Sequence, residues 1–179
     1  MLQHAPELGF AETKPAIELY RGRLVPKVSP QRRHGRLELV LGGILDAWAR
    51  GKGEVATEWR LYLIPPRGEW SSLVPDVAYI SYERLPKDAP AEFREKPTMA
   101  PDLAIEILSP DDRTRRVNEK IELYLEFGTN AITVVDPETR SIDIVSAGGR
   151  QRFCEGEHVL VAGFDGLTFD VAAVFAETD

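Results

Sequence analysis

Cys154 is the only cysteine in the 179-residue chain, which excludes an internal disulfide framework and any thiolate zinc cluster. Histidine is nearly as scarce. His4, His34 and His158 are spaced so that no two belong to one metal-ligand pattern. Cys154 and His158 are close in sequence, but no orienting residue stands near them, and the pair reads as coincidence. No apolar run approaches the ~18 residues of a membrane helix, and no apolar block follows a basic start in the first thirty residues. A cytoplasmic protein without membrane contact is therefore expected. A Gly-Lys-Ser/Thr phosphate loop, a dinucleotide glycine fingerprint and a serine nucleophile elbow are all missing. Common nucleotide-dependent and serine-hydrolase chemistries are excluded with them.

What is present suits one globular domain spanning 1–179, with 43% hydrophobic and 28% charged residues. The net charge of −7 is unevenly spread. No Lys or Arg follows Arg152, while Glu155, Glu157, Asp165, Asp170, Glu177 and Asp179 are acidic, so the first 152 residues carry a net −1. Arg21, Arg23, Lys27, Arg32, Arg33 and Arg36 lie in a stretch without acid, and Arg113, Arg115 and Arg116 form a second basic group. Two readings fit this polarity: a basic face for a polyanion, or ordinary solvated charge.

Ile17–Tyr20 and Leu24–Val28 flank Arg21-Gly22-Arg23 and read as a hairpin. Leu37, Val40, Leu41, Ile44, Leu45 and Trp48 form a helical stripe that ends at Gly51. Gly42-Gly43 inside it suggests close packing or a local break. Residues 54–64 have strand composition, and residues 74–80 and 102–108 suit strands covered on both faces. Residues 81–101, with four prolines, read as a long excursion. A second helix is expected over Thr114–Phe127, capped by Gly128. Residues 131–135 and 141–145 follow as strands joined by a turn at Asp136. Short strands and a half-helix are expected to Phe175, with the acidic stretch 153–179 packed away from any substrate face. The class is α/β or α+β with a mixed sheet.

The chemically suggestive feature is acid among apolar residues. Asp76 shares a strand face with Ala78 and Ile80, and Glu106 shares one with Ala104 and Leu108. A buried carboxylate costs several kcal/mol unless it is paired, hydrogen-bonded or metal-bound. Two such strands could hold magnesium or manganese through oxygen ligands; a buried ion pair or a solvent-edge strand end is the alternative. Lys120 flanks the buried stripe of the second helix, where its long side chain could run along the sheet towards the carboxylates. Arg113 and Arg116 lie on the same side. A surface pair would explain these cations equally. On the first helix, His34 and Glu38 extend the line of Leu41 and Leu45. Glu38 could reach a cation through water and His34 could touch substrate; helix capping and solvent exposure are the alternatives.

These residues in this order resemble the Uma family of bacterial endonucleases, within the PD-(D/E)XK restriction-endonuclease-like superfamily. The matching stretches are E-L-Y-R-G-R-L-V-P-K-V-S from Glu18, His34, V-P-D-V-A-Y-I, P-D-L-A-I-E-I-L-S-P, the helix of Lys120 and Tyr124, Gly128 and V-V-D-P. Together they span about 16–146, leaving the acidic stretch 153–179 as an extension. The resemblance implies a central mixed sheet flanked by helices, with peripheral hairpins. Asp76 and Glu106 match its metal-binding acids for Mg²⁺ or Mn²⁺, with the Ile107 carbonyl as a further ligand and Glu38 matching a helical acid. The family pattern expects lysine where Leu108 stands, and Lys120 takes that place from the following helix. The implied function is metal-dependent phosphodiester hydrolysis, in DNA, with His34, Arg113 and Arg116 towards the substrate. A nuclease fold that binds nucleic acid or protein without cutting is the alternative, and a third is a structural protein whose acids are merely paired. A homodimer would suit a cutter of both strands.

Overall fold

The computed structural model describes residues 3–110, 114–176 and 178. Strands β1 (Ile17–Tyr20) and β2 (Arg23–Pro26) form the expected hairpin. Its two turn residues, Arg21 and Gly22, have φ of 45° and 79°, the left-handed pair that matches the twist of a two-residue hairpin. Helix α1 (Arg32–Ala49) follows, then β3 (Gly53–Thr57), β4 (Leu61–Leu63), β5 (Ser71–Leu73) and β6 (Val77–Ser81). A short helix α2 (Ala91–Glu95) interrupts the long excursion before β7 (Leu103–Ile107). Helix α3 (Thr114–Glu126) leads to β8 (Ala131–Asp136), β9 (Ser141–Ser146), β10 (Gly149–Cys154), β11 (His158–Leu160), β12 (Thr168–Asp170) and α4 (Val171–Ala176).

Two sheets organise the molecule. The larger is six-stranded, in the order β10-β9-β8-β7-β6-β3, with β7 and β8 parallel and the other pairs antiparallel. The smaller is four-stranded, β2-β1-β5-β4. Alternation along β7 divides the core: Leu103, Ile105 and Ile107 face α1 and the C-terminal elements, whereas Ala104 faces the α3 side. Helix α1 buries Leu37, Leu41, Leu45 and Ala49 at helical spacing. Helix α3 buries Ile121, Leu123 and Tyr124 on the other face. Gly128, with φ of 86°, follows its last turn.

Several expectations change. The strand expected over 54–64 is two strands in different sheets, β3 and β4. Glu58, at φ 50°, turns the chain between them. Gly42-Gly43 does not break α1; a Cβ on Gly42 would meet Thr57 and Val77 at ordinary contact distances, so the helix lies close over the sheet there. The acidic C-terminal stretch forms the short strands and half-helix expected of it, and Phe153, Val159, Val161, Phe164, Val174 and Phe175 pack with α1 over the large sheet. Asp136 is the turn residue its setting suggested, accepting the N–H groups of Glu138 and Thr139. Among the described residues no helix is long and apolar enough to cross a membrane.

The division of α1 into a buried and an exposed face yields a paired prediction. Leu45→Ala, at a site 1% exposed, should lower stability by about 2–5 kcal/mol. Leu39→Ala, at a site 64% exposed, should stay within about 0.5 kcal/mol. Urea unfolding of the two variants checks the pair.

Candidate active site

The site forms where the chain leaves the small sheet for the large one. Between β5 and β6 lie Val74, Pro75 and Asp76. Asp76 is therefore at a bend just before β6, one residue short of the mid-strand place its sequence setting suggested. β6 and β7 pair with Val77 opposite Ile105. Carrying that register one residue further sets Asp76 against Glu106, so the two acids become neighbours through strand pairing.

Each carboxylate is held from several sides. Asp76 Oδ2 accepts the Ile107 N–H at 2.7 Å and lies 3.3 Å from His34 Nε2, while Oδ1 accepts from Lys27 Nζ at 2.8 Å. Glu106 Oε2 accepts from Lys120 Nζ at 2.7 Å, and Oε1 from the Tyr124 hydroxyl at 2.7 Å. Lys120 Nζ also lies 2.9 Å from Glu18 Oε1 and 3.3 Å from the Val74 carbonyl. Glu18 in turn accepts from the Val74 N–H at 2.7 Å and from the Tyr20 hydroxyl at 2.9 Å. Lys27 Nζ completes the set with Glu58 Oε1 at 2.7 Å and the Val74 carbonyl at 3.0 Å. Asp76, Glu106, Lys120 and Glu18 are all buried.

Such burial requires compensation, and the protonation equilibria follow it. Burial alone would raise the Asp76 carboxyl, but the Lys27 and Lys120 ammonium groups and the Ile107 N–H outweigh it and hold Asp76 below the usual carboxylate range. At Glu106 burial prevails; Lys120 lowers the carboxyl, Asp76 and Glu18 raise it, and the result is about 7. Lys120 is pushed up, because Glu106, Glu18 and Asp76 more than offset its own desolvation. Burial, with Asp76 and Glu58 nearby, also raises Glu38 to about 7.

A pocket of about 50 Å³ opens on this network, with Glu18, Lys27, His34, Asp76, Glu106 and Lys120 in its wall, beside Arg116 and Ile107. Asp76, Glu106, Lys120, His34 and Arg116 are thus brought together. His34 is buried next to Asp76 instead of facing solvent at the helix start. Glu38 does not line the pocket and is hydrogen-bonded to the Thr57 side chain. Arg113 lies outside the described residues. Among the described residues no three His, Cys, Asp or Glu side chains are gathered as a preformed metal site gathers them. The reason is visible at Asp76 and Glu106, whose oxygens are already taken by lysine, tyrosine and backbone donors.

Sequence reasoning assigned no role to Glu18, Tyr20, Lys27 or Glu58. Glu18 and Tyr20 alternate with Ile17 and Leu19 in β1, a pattern that signals an acid-and-tyrosine face but not its burial. Lys27 and Glu58 meet only through the fold, and no local spacing signals them.

Two outcomes follow. Lys120→Met leaves Glu106 and Glu18 without their cation and should cost about 3–5 kcal/mol; adding Glu106→Gln should restore part of it, which a double-mutant cycle in urea measures. Because the folded protein holds the Glu38 proton more tightly than the unfolded chain, this residue contributes stability at low pH that disappears as pH rises through about 7. Glu38→Gln should flatten that decline in melting temperature between pH 5 and 8.

No curated protein matches the chain significantly. A solved structure described as "a putative nuclease belonging to DUF820", from Anabaena variabilis, is 25% identical, with a TM-score of 0.85 and 96% of each chain covered. The mixed sheet with flanking helices is thus shared with that protein. The Uma2 family profile, described as "Putative restriction endonuclease", matches residues 2–172. That match takes in most of the sequence, and the chain belongs to the Uma2 family.

Proposed function

We propose that the protein is a Mg²⁺- or Mn²⁺-dependent nuclease that hydrolyses phosphodiester bonds in DNA. The observation that carries this reading is the adjacency of Asp76 and Glu106 at the joint of the two sheets, with Lys120 bound to Glu106. The donor chemistry fits a hard divalent cation, because carboxylate and carbonyl oxygens converge there and already coordinate ammonium groups. Asp76, Glu106 and the Ile107 carbonyl would hold the ion, which supplies Lewis acidity to a scissile phosphate and to water.

The residues of the chain do the rest. Ile107 N–H and His34 fix the Asp76 carboxylate, and the Tyr124 hydroxyl fixes Glu106, so both acids keep one orientation. Lys120 places positive charge where charge builds on an attacked phosphate. Arg116 in the pocket wall, and Arg33 on the exposed first turn of α1, face an approaching backbone. Phosphate contacts of this kind make binding salt-dependent.

One observation favours a second reading, in which the fold binds nucleic acid without cutting it. Every oxygen of Asp76 and Glu106 already has a hydrogen-bond donor. Salt-sensitive DNA binding without turnover would support it.

Incubation of labelled duplex with the purified protein and millimolar Mg²⁺ tests the main reading. Cleavage should appear, stop with chelator, and fall on the order of 100-fold or more in Asp76→Ala and Glu106→Gln. Melting curves establish that both variants are folded. Equal cleavage by the folded Asp76→Ala protein would remove Asp76 from the account.

A further inference from the structure

Resting on the metal-dependent reading above, we propose that Lys27 occupies the Asp76 end of the divalent-cation site, and that a metal ion settles on Asp76 Oδ1 only by displacing its ammonium. Lys27 Nζ makes three contacts, to Glu58 Oε1 at 2.7 Å, Asp76 Oδ1 at 2.8 Å and the Val74 carbonyl at 3.0 Å. Two carboxylates and a carbonyl are the oxygen set that a hard cation takes, and they match the three N–H groups of an ammonium. An ion seated on these same three oxygens would lie against the ammonium, and two cations so close repel each other. Lys27 therefore stands in for the ion.

The two lysines of the site differ in their freedom to leave. Lys120 projects from α3 and is enclosed by Glu106, Glu18 and the Val74 carbonyl. Lys27 follows β2 on a loop whose backbone is tied by its N–H to the Ala16 carbonyl at 2.9 Å, so movement falls to the side chain. Its partner Glu58 has a half-exposed side chain, which puts the Lys27 contact at the solvent side of the network. Glu58 is also held at φ 50°, a conformation that costs a non-glycine residue energy, with its N–H on the Asp76 carbonyl at 3.2 Å. That turn brings the Glu58 carboxylate back onto Lys27 beside Asp76.

A displaced Lys27 does not lose its charge, and a buried cation needs a partner. The pocket wall near it carries Arg116, whose guanidinium donates to the carbonyl of Pro26, the residue before Lys27. A phosphodiester arriving there supplies the missing anion. Metal and DNA should consequently strengthen each other's binding, and Lys27 is the positioning residue that links them.

Calorimetric titration with Mn²⁺ of the native protein, Lys27→Met and Lys27→Gln, each with and without a short duplex, tests this. Without DNA, both variants should bind Mn²⁺ at least ten-fold more tightly than the native protein. Duplex should tighten Mn²⁺ binding by the native protein several-fold more than by the variants. Mn²⁺ should also raise the melting temperature of the variants more than that of the native protein; a merely structural lysine would not produce that. Equal or weaker binding by both variants, with native binding abolished by Asp76→Ala, would overturn the role of Lys27 and leave the metal-dependent reading standing. Absence of Mn²⁺ binding by every protein, with and without duplex, would overturn both.

Discussion

Two ammonium groups shared among four carboxylates hold the two sheets together at one short segment. Val74 is its centre. Its carbonyl accepts from both Lys27 and Lys120, and its N–H donates to Glu18. Pro75 has no N–H to spend on a ladder, so the chain leaves the small sheet and enters the large one without a strand partner. The polar groups freed there are satisfied by Glu18 from β1, Lys120 from α3, Lys27 from the loop after β2 and the Glu58 N–H. Removing Lys120 would leave Glu106 and Glu18 buried without the cation they share.

The same arrangement gives the two central acids different characters. Asp76 faces Lys27, Lys120 and a backbone N–H, and stays ionised. Glu106 lies against Tyr124 and among other acids, and its carboxyl rises to about 7 despite Lys120. Two carboxylates opposite one another thus titrate in opposite directions, because Asp76 and Glu18 add to burial at Glu106, whereas the lysines and the Ile107 N–H outweigh it at Asp76. Acid–base sites and buried ion-pair networks both produce such a divergence.

The burial of Asp76 and Glu106 was legible because each interrupts an apolar run with a charge, and that of Lys120 only as a cation flanking the stripe of α3. The stripe of α1, the hairpin at Arg21-Gly22 and the turn at Asp136 were legible through spacing and turn chemistry. The break inside residues 54–64 was not, because β-branched and aromatic composition continues through Glu58 without a proline or glycine to mark the corner. Glu18 lies in a stretch that matches the family yet carries no signal of burial; a four-residue edge hairpin ordinarily shows one face to water, and here α3 covers that face.

Local pattern therefore determined most of the elements, which of their faces are apolar, and the burial of Asp76 and Glu106. Those properties depend on residues a few positions apart, and they survive in a one-dimensional reading. The partners of those charges were decided only by the tertiary structure. Lys27 lies 49 residues from Asp76, Lys120 lies 46 from Val74, and the β6–β7 register that sets Asp76 against Glu106 spans 28 residues between Val77 and Ile105. Pairing across such distances follows from how two sheets and a helix pack, and no local spacing encodes it.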